Sequence, residues 1–227
     1  MADRLRRFSI PITFKPNFFN RKGKQHWGRG FAISPRHVIT NQHVVDTEDG
    51  KYYVADLPPH AIKRIVTAYE LGFGSVPDEM DIAIIEFHHP HGLPVVQLAQ
   101  EDAKVGDTLL LINKHGQTVF GYLHFAGTAL QYMQCLHAGG LIDITDPYYE
   151  QGQRLLSAIG KRDTGVASMH TGITIIHGDS GSPLFDQTGA VIGLVHGLDR
   201  VTRQGLAHTV SDMYRVIKAY HAHYVEP

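Results

Sequence analysis

Short apolar runs rich in β-branched residues, broken by Gly, Pro and Asn turns about every eight to fifteen residues, dominate this chain. A period of that kind suits an all-β barrel or sandwich and leaves little room for helices. The runs are Phe8 to Phe14, Gly30 to Ser34, His37 to Thr40, Ile65 to Tyr69, Asp81 to Phe87 and Val95 to Ala99. They resume with Thr108 to Ile112, Val119 to Phe125, Gly172 to Ile176, Ser182 to Phe185 and Ala190 to His196. Residues 100–107 are polar and turn-rich, the composition of a linker, which divides the chain into 1–105 and 106–227. The stretch 144–164 is a long polar insertion in the second half. One helical pattern stands at the end. Ser211 can cap, Asp212 lies in the first turn, and Met213, Val216, Ile217 and Tyr220 recur at helical spacing.

Composition removes several classes of function. Hydrophobic residues make up 43% of the 227 and charged residues 19%, so a sizeable core can form and the balance favours globular structure over disorder. The formal net charge is −1, which offers no concentrated positive field for nucleic acid. The basic residues near the start (Arg4, Arg6, Arg7, Arg21, Lys22, Lys24) read as a solvated face. The single cysteine, Cys135, cannot form an internal disulfide, and its apolar neighbours Tyr132, Met133 and Leu136 read as core packing. No run reaches the ~20 apolar residues of a membrane helix. The apolar stretch Phe8 to Phe14 is interrupted by Pro11, unlike a secretory signal. The chain as written therefore reads as cytoplasmic, with export by another route or a removed signal left open.

Three segments carry chemistry. Gly178-Asp179-Ser180-Gly181-Ser182-Pro183 places a serine between glycines just before a strand. A serine hydroxyl needs an adjacent base and a site for the oxyanion. Flanking glycines permit a tight turn in which the N–H groups of Gly178 and Ser180 point at one oxygen. Val38 to Val45 brings His43 to the end of an apolar strand, a setting that suits a general base. Asp81 opens the very apolar Ile82 to Ile85, where a carboxylate must be paired, and an imidazole N–H is a suitable partner. Asp46 and Asp78 are rivals for that role. The chain order His, Asp, Ser is one of the known orders of the serine triad.

On these residues the chain resembles trypsin-like peptidases of the bacterial type, including HtrA-like and glutamyl-endopeptidase-like enzymes. Gly28 to Ser34 with Thr40 to Val45, the Asp81-Ile82-Ala83-Ile84-Ile85 segment, Gly178 to Pro183 with Gly189 to Val195, and Gly205 to Val210 carry the likeness. It implies two packed antiparallel six-stranded β-barrels of the chymotrypsin type and a C-terminal helix. His43 and Asp81 come from the first barrel and Ser180 from the second. It implies a serine endopeptidase acting on protein or peptide substrates, without cofactor or metal, and no contact with membrane. The disulfides of animal trypsins, an Ile-Val-type activation terminus and a following PDZ-like domain are absent from the pattern. A latent or inactive peptide-binding module is the alternative. The resemblance also implies an S1 pocket lined by Thr174, His177, Val195, His196, Gly197, Leu198 and Gly205, with Gly205 leaving the pocket open. His196 suggests a preference for acidic or Gln side chains. His88, His89, His91, His221 and His223 read as exposed histidines rather than as zinc ligands.

Overall fold

The computed structural model describes residues 2–16, 25–46, 50–73, 80–141, 143, 168–199 and 204–225. Twelve strands and four α-helices are found among them. In chain order these are α1 (Ala2–Arg6), β1 (Ile10–Pro16), β2 (Gln25–Ser34), β3 (His37–Thr40), α2 (Gln42–Val45), β4 (Gly50–Val54), β5 (Ile62–Thr67) and β6 (Ala83–Phe87). The second half holds β7 (Thr108–Ile112), β8 (Thr118–Gly127), α3 (Ala129–Ala138), β9 (Ser168–Thr171), β10 (Pro183–Phe185), β11 (Val191–Leu198), β12 (Gly205–Thr209) and α4 (Val210–Tyr224).

The strands form two six-stranded antiparallel sheets. The first has the order β4-β1-β2-β3-β6-β5, and the second closes as a barrel in the order β10-β11-β12-β9-β8-β7. The expected two-barrel architecture is thus present as one closed barrel and one half-barrel. Each sheet has its own apolar interior. Ile12, Val38, Val54 and Ile85 fill the first, and Leu109, Leu111, Met169 and Ala207 the second. A third cluster, with Phe31, Ile39, Ile84, Leu110, Phe185 and Tyr220, joins the sheets. The sheets therefore bury apolar surface against each other as well as internally.

Register places the chemistry. Thr40, the last residue of β3, pairs with Ala83, the first of β6. The residues just beyond these two ends, His43 and Asp81, therefore emerge side by side.

Several expected boundaries move. β1 starts at Ile10, because Phe8 and Ser9 close the turn after α1 through bonds to Leu5 O and Arg6 O. Residues Val95 to Ala99 form no strand. They make isolated bridges, Ala32 with Val95 and Leu98 with Val191, that connect the sheets. The segment Gly172 to Ile176 alternates as a strand would, with Ile173 and Ile175 buried, yet it is a loop. Its amides are taken elsewhere: Gly172 N–H goes to Tyr122 O, and Ile176 N–H to the Asp179 carboxylate. Helix α4 is capped by Thr209, whose hydroxyl accepts from Asp212 N–H, and not by Ser211. Helix α3, not among the expected elements, starts on a capping box of Thr128 and Gln131, a pattern readable in sequence. Cys135 lies on the exposed face of α3 and does not pack in the core. The insertion 144–164 lies outside the described residues.

Candidate active site

His43 sits on α2, one turn of helix directly after β3, and not on the strand itself. Asn41 precedes the helix, and its side-chain amide donates to Asp81 O at 2.8 Å. Asp81 is buried and grips His43 twice. Its Oδ1 accepts the His43 backbone N–H at 2.9 Å, and its Oδ2 lies 2.5 Å from His43 Nδ1. Burial pushes the Asp81 carboxyl up. The hydrogen bond from the His43 ring and the nearby His43 and His196 charges pull it down, and the net shift is downward. A carboxylate held ionised there fixes the ring and leaves Nε2 as the other nitrogen of the imidazole. The rival Asp46 is the exposed residue that ends α2, and Asp78 lies outside the described residues.

Ser180 lies on the loop that leads into β10. Its carbonyl accepts from Arg29 N at 2.7 Å, which ties the loop to β2 of the other sheet. Gly28, next to Arg29, fills the gap between Val44 and Ser180: a Cβ there would stand 3.0 Å from Ser180 O. The neighbour of His43 and the backbone of Ser180 thus press on one glycine. The glycines of the motif have physical causes. Gly178 has φ +96° and Gly181 φ +84°, a region that favours glycine. A side chain at Gly181 would also collide with Arg29 O.

The loop is held by groups that sequence reasoning did not single out. Asp179 is fully buried, and its carboxylate accepts Lys114 N–H at 2.7 Å and Ile176 N–H at 2.9 Å. Arg29 is buried too, with its guanidinium on Ser9 Oγ and Ser9 O. Burial lowers the Arg29 pKa, and the Asp179 charge opposes that shift. The only legible signal for Asp179 was its place beside the serine.

The expected pocket residues divide. Thr174 and His177 are exposed on the loop before Gly178, and Val195 packs into the second barrel's interior. Gly205 is closely packed at its own Cα. A Cβ there would meet Ile175 Cγ2 at 2.9 Å, Thr171 Oγ1 at 3.0 Å and Ile173 O at 3.1 Å. Gly197 and Leu198 pair with Leu206 and Gly205 across β11 and β12. His196 lies near Asp81, and its ring stacks on that of His208 with centroids 4.3 Å apart and planes 28° apart. Burial drives the His196 pKa down to about 4 and that of His208 well below its usual value. Asp81, His196 and His208 each offer a ligand atom, all within 4.8 Å of one another. Among the other histidines, His88 and His89 are exposed, whereas His91 is half-buried, packs its edge on Phe87 and accepts Leu93 N–H on Nδ1.

An aspartate-bound histidine thus follows a strand of one sheet, and a glycine-flanked serine stands on the loop that leads into a strand of the other. The chain belongs to the trypsin-like peptidase domain family, whose pattern matches residues 28–194. It is 29% identical over 171 residues to serine protease Rv3671c of Mycobacterium tuberculosis, covering 75% of this chain and 36% of that protein. It is 27% identical over 186 residues to serine protease HTRA1B of Danio rerio, covering 80% of this chain and 32% of that one. The chain thus spans about a third of the length of these curated relatives. The active form of the Rv3671c protease superposes with a TM-score of 0.59 at 22% identity, covering 96% of this chain and 83% of that structure. The HtrA-type protease AlgW, solved with a decapeptide, gives 0.56 at 16% identity, covering 95% of this chain and 64% of its own. At those identities the two structures support the fold alone. No helix among the described residues is long and apolar enough to cross a membrane.

Proposed function

We propose that the chain is a serine endopeptidase that cleaves peptide bonds through an acyl-enzyme. Ser180 attacks the scissile carbonyl. His43 takes the serine proton and returns it to the leaving amine, so the proton count balances over acylation. Asp81 holds the imidazole and stabilises its protonated form. The N–H groups of Gly178 and Ser180 receive the oxyanion of the tetrahedral intermediate. Water then repeats the sequence to release the acid and regenerate Ser180.

The observation that carries this reading is the double grip of Asp81 on His43, at 2.9 Å to the backbone and 2.5 Å to the ring. A satisfied core histidine needs one partner; two bonds from one buried carboxylate fix both position and tautomer. The substrate side chain next to the cleaved bond is apolar or small in this proposal. Ile175 occupies the space against Gly205, and His196 stacks on the ring of His208. Labelling with a fluorophosphonate serine probe tests the reading. Labelling of the native chain that is lost in both Ser180→Ala and His43→Ala supports it. A native chain that takes no label favours the peptide-binding alternative.

A further inference from the structure

The loop before Ser180 is a β-turn from Ile176 to Asp179, closed by Asp179 N–H on Ile176 O at 3.0 Å. Gly178 is its third residue, at φ +96°, and His177 keeps a negative φ. That combination is a type II turn. Its central peptide joins His177 to Gly178, and the carbonyl and N–H of that peptide point to opposite faces. In a type I turn the same peptide is rotated by roughly 150–170° in both flanking dihedrals. Glycine adopts either sign of φ with little intrinsic cost. Nothing in the turn's own covalent chemistry therefore fixes which face the Gly178 N–H takes.

The ends of the turn are fixed. The Asp179 carboxylate takes one backbone N–H from Ile176 and one from Lys114, so the corner cannot shift as a body. Lys114 is on the short β7–β8 turn, which Asn113 stiffens by accepting His115 N–H and Gln117 N–H on its Oδ1. From this fixed base the Lys114 ammonium donates to His177 O at 2.7 Å. One residue thus grips the turn twice, by its backbone at Asp179 and by its side chain at the central carbonyl. A charge-assisted bond to that carbonyl favours one orientation of the peptide and opposes the other.

We propose that Lys114 is a positioning residue for the oxyanion site: by holding the His177 carbonyl it keeps the Gly178 N–H turned toward the substrate. The proposal rests on the acyl-transfer reading above. It makes the β7–β8 turn the element that sets whether the nucleophile loop is competent.

The test compares the native chain with Lys114→Met and Lys114→Arg, using a fluorophosphonate probe. Phosphonylation of Ser180 develops charge on an oxygen in the same site. The methionine variant should lose on the order of ten-fold in the maximal labelling rate, less than the ~10²–10³ cost of removing an oxyanion donor outright. Its half-saturating probe concentration, the pH midpoint of labelling and the melting temperature should stay as in the native chain. The arginine variant should recover most of the rate. An unchanged rate in Lys114→Met overturns the proposal. So does a loss that comes with a shifted pH midpoint or lower melting temperature and is not recovered by arginine. A native chain that never labels overturns the peptidase reading, and the positioning role falls with it.

Discussion

Gly28 on β2 is wedged between Val44, beside the candidate base, and the carbonyl of Ser180, the candidate nucleophile. A Cβ there would stand 2.5 Å from Val44 Cγ2 and 3.0 Å from Ser180 O. The two sheets meet at this point without a side chain between them. Gly28→Ala should force α2 or the serine loop to move, with an overpacking cost of about 1–3 kcal/mol. Thermal melting should register the cost, and fluorophosphonate labelling should slow by more than the lost folded fraction explains. Unaltered labelling and melting would show that the contact yields freely.

Asp81→Asn keeps the shape of the side chain and removes its charge. The amide can still meet the His43 backbone N–H through its oxygen, so the fold should survive. The ring then loses an ionised acceptor at Nδ1. Turnover near neutral pH should fall on the order of 10³–10⁴ while the melting temperature changes little. A variant within ten-fold of native would remove Asp81 from the mechanism.

Acid should weaken the fold before it reaches the aspartate. His196 and His208 have folded pKa values below the usual histidine value, near 4 for His196. Between about 6.5 and 4 the unfolded chain binds protons that the folded chain refuses. The stability these rings contribute is complete above about pH 6.5 and is lost as the pH falls toward 4. Asp81, also depressed, loses its contribution only at still lower pH. Denaturant titrations at pH 7.5, 6, 5 and 4 should show a slope that His208→Phe makes shallower. A native chain equally stable at pH 7 and 4.5 would contradict the burial of neutral rings.

Separately, activity should rise with pH as His43 deprotonates, because only the neutral ring can accept the serine proton. A flat rate profile from pH 5 to 8 would exclude His43 as the base.

Cys135 is exposed on α3. A thiol reagent such as iodoacetamide should modify it in the native state, and labelling of Ser180 should be unaffected. Failure to react without denaturant would return this residue to the interior.

The candidate residues were more legible in the sequence than the scaffold around them. His43, Asp81 and Ser180 stand out as candidates because each is a reactive side chain beside glycines or at an apolar strand end. The β-runs were legible from period-two alternation, including Gly172 to Ile176, where alternation reports burial of Ile173 and Ile175 without any ladder. What sequence hid was long-range partnership. Lys114, Arg29 and Asp179 act through main-chain atoms, and backbone acceptors leave no trace in residue type. Cys135 misled because an apolar neighbourhood along the chain is not one in space: on α3, Tyr132 and Leu136 turn inward and residue 135 outward. Sequence likewise hid what packs on Gly205, where an added Cβ would meet Ile175 Cγ2 at 2.9 Å.

The cluster that joins the sheets has a consequence for how the molecule would come apart. Val191 exchanges backbone hydrogen bonds with Gln97 and Ala99, and Tyr220 of α4 donates to Glu86 of β6 at 2.6 Å. The chain segment at 100–107 is therefore only one of several ties between the halves. A nick there should leave two fragments that elute together and label with the serine probe as the intact chain does, making the covalent link a convenience of synthesis and the noncovalent seam the true joint of the molecule.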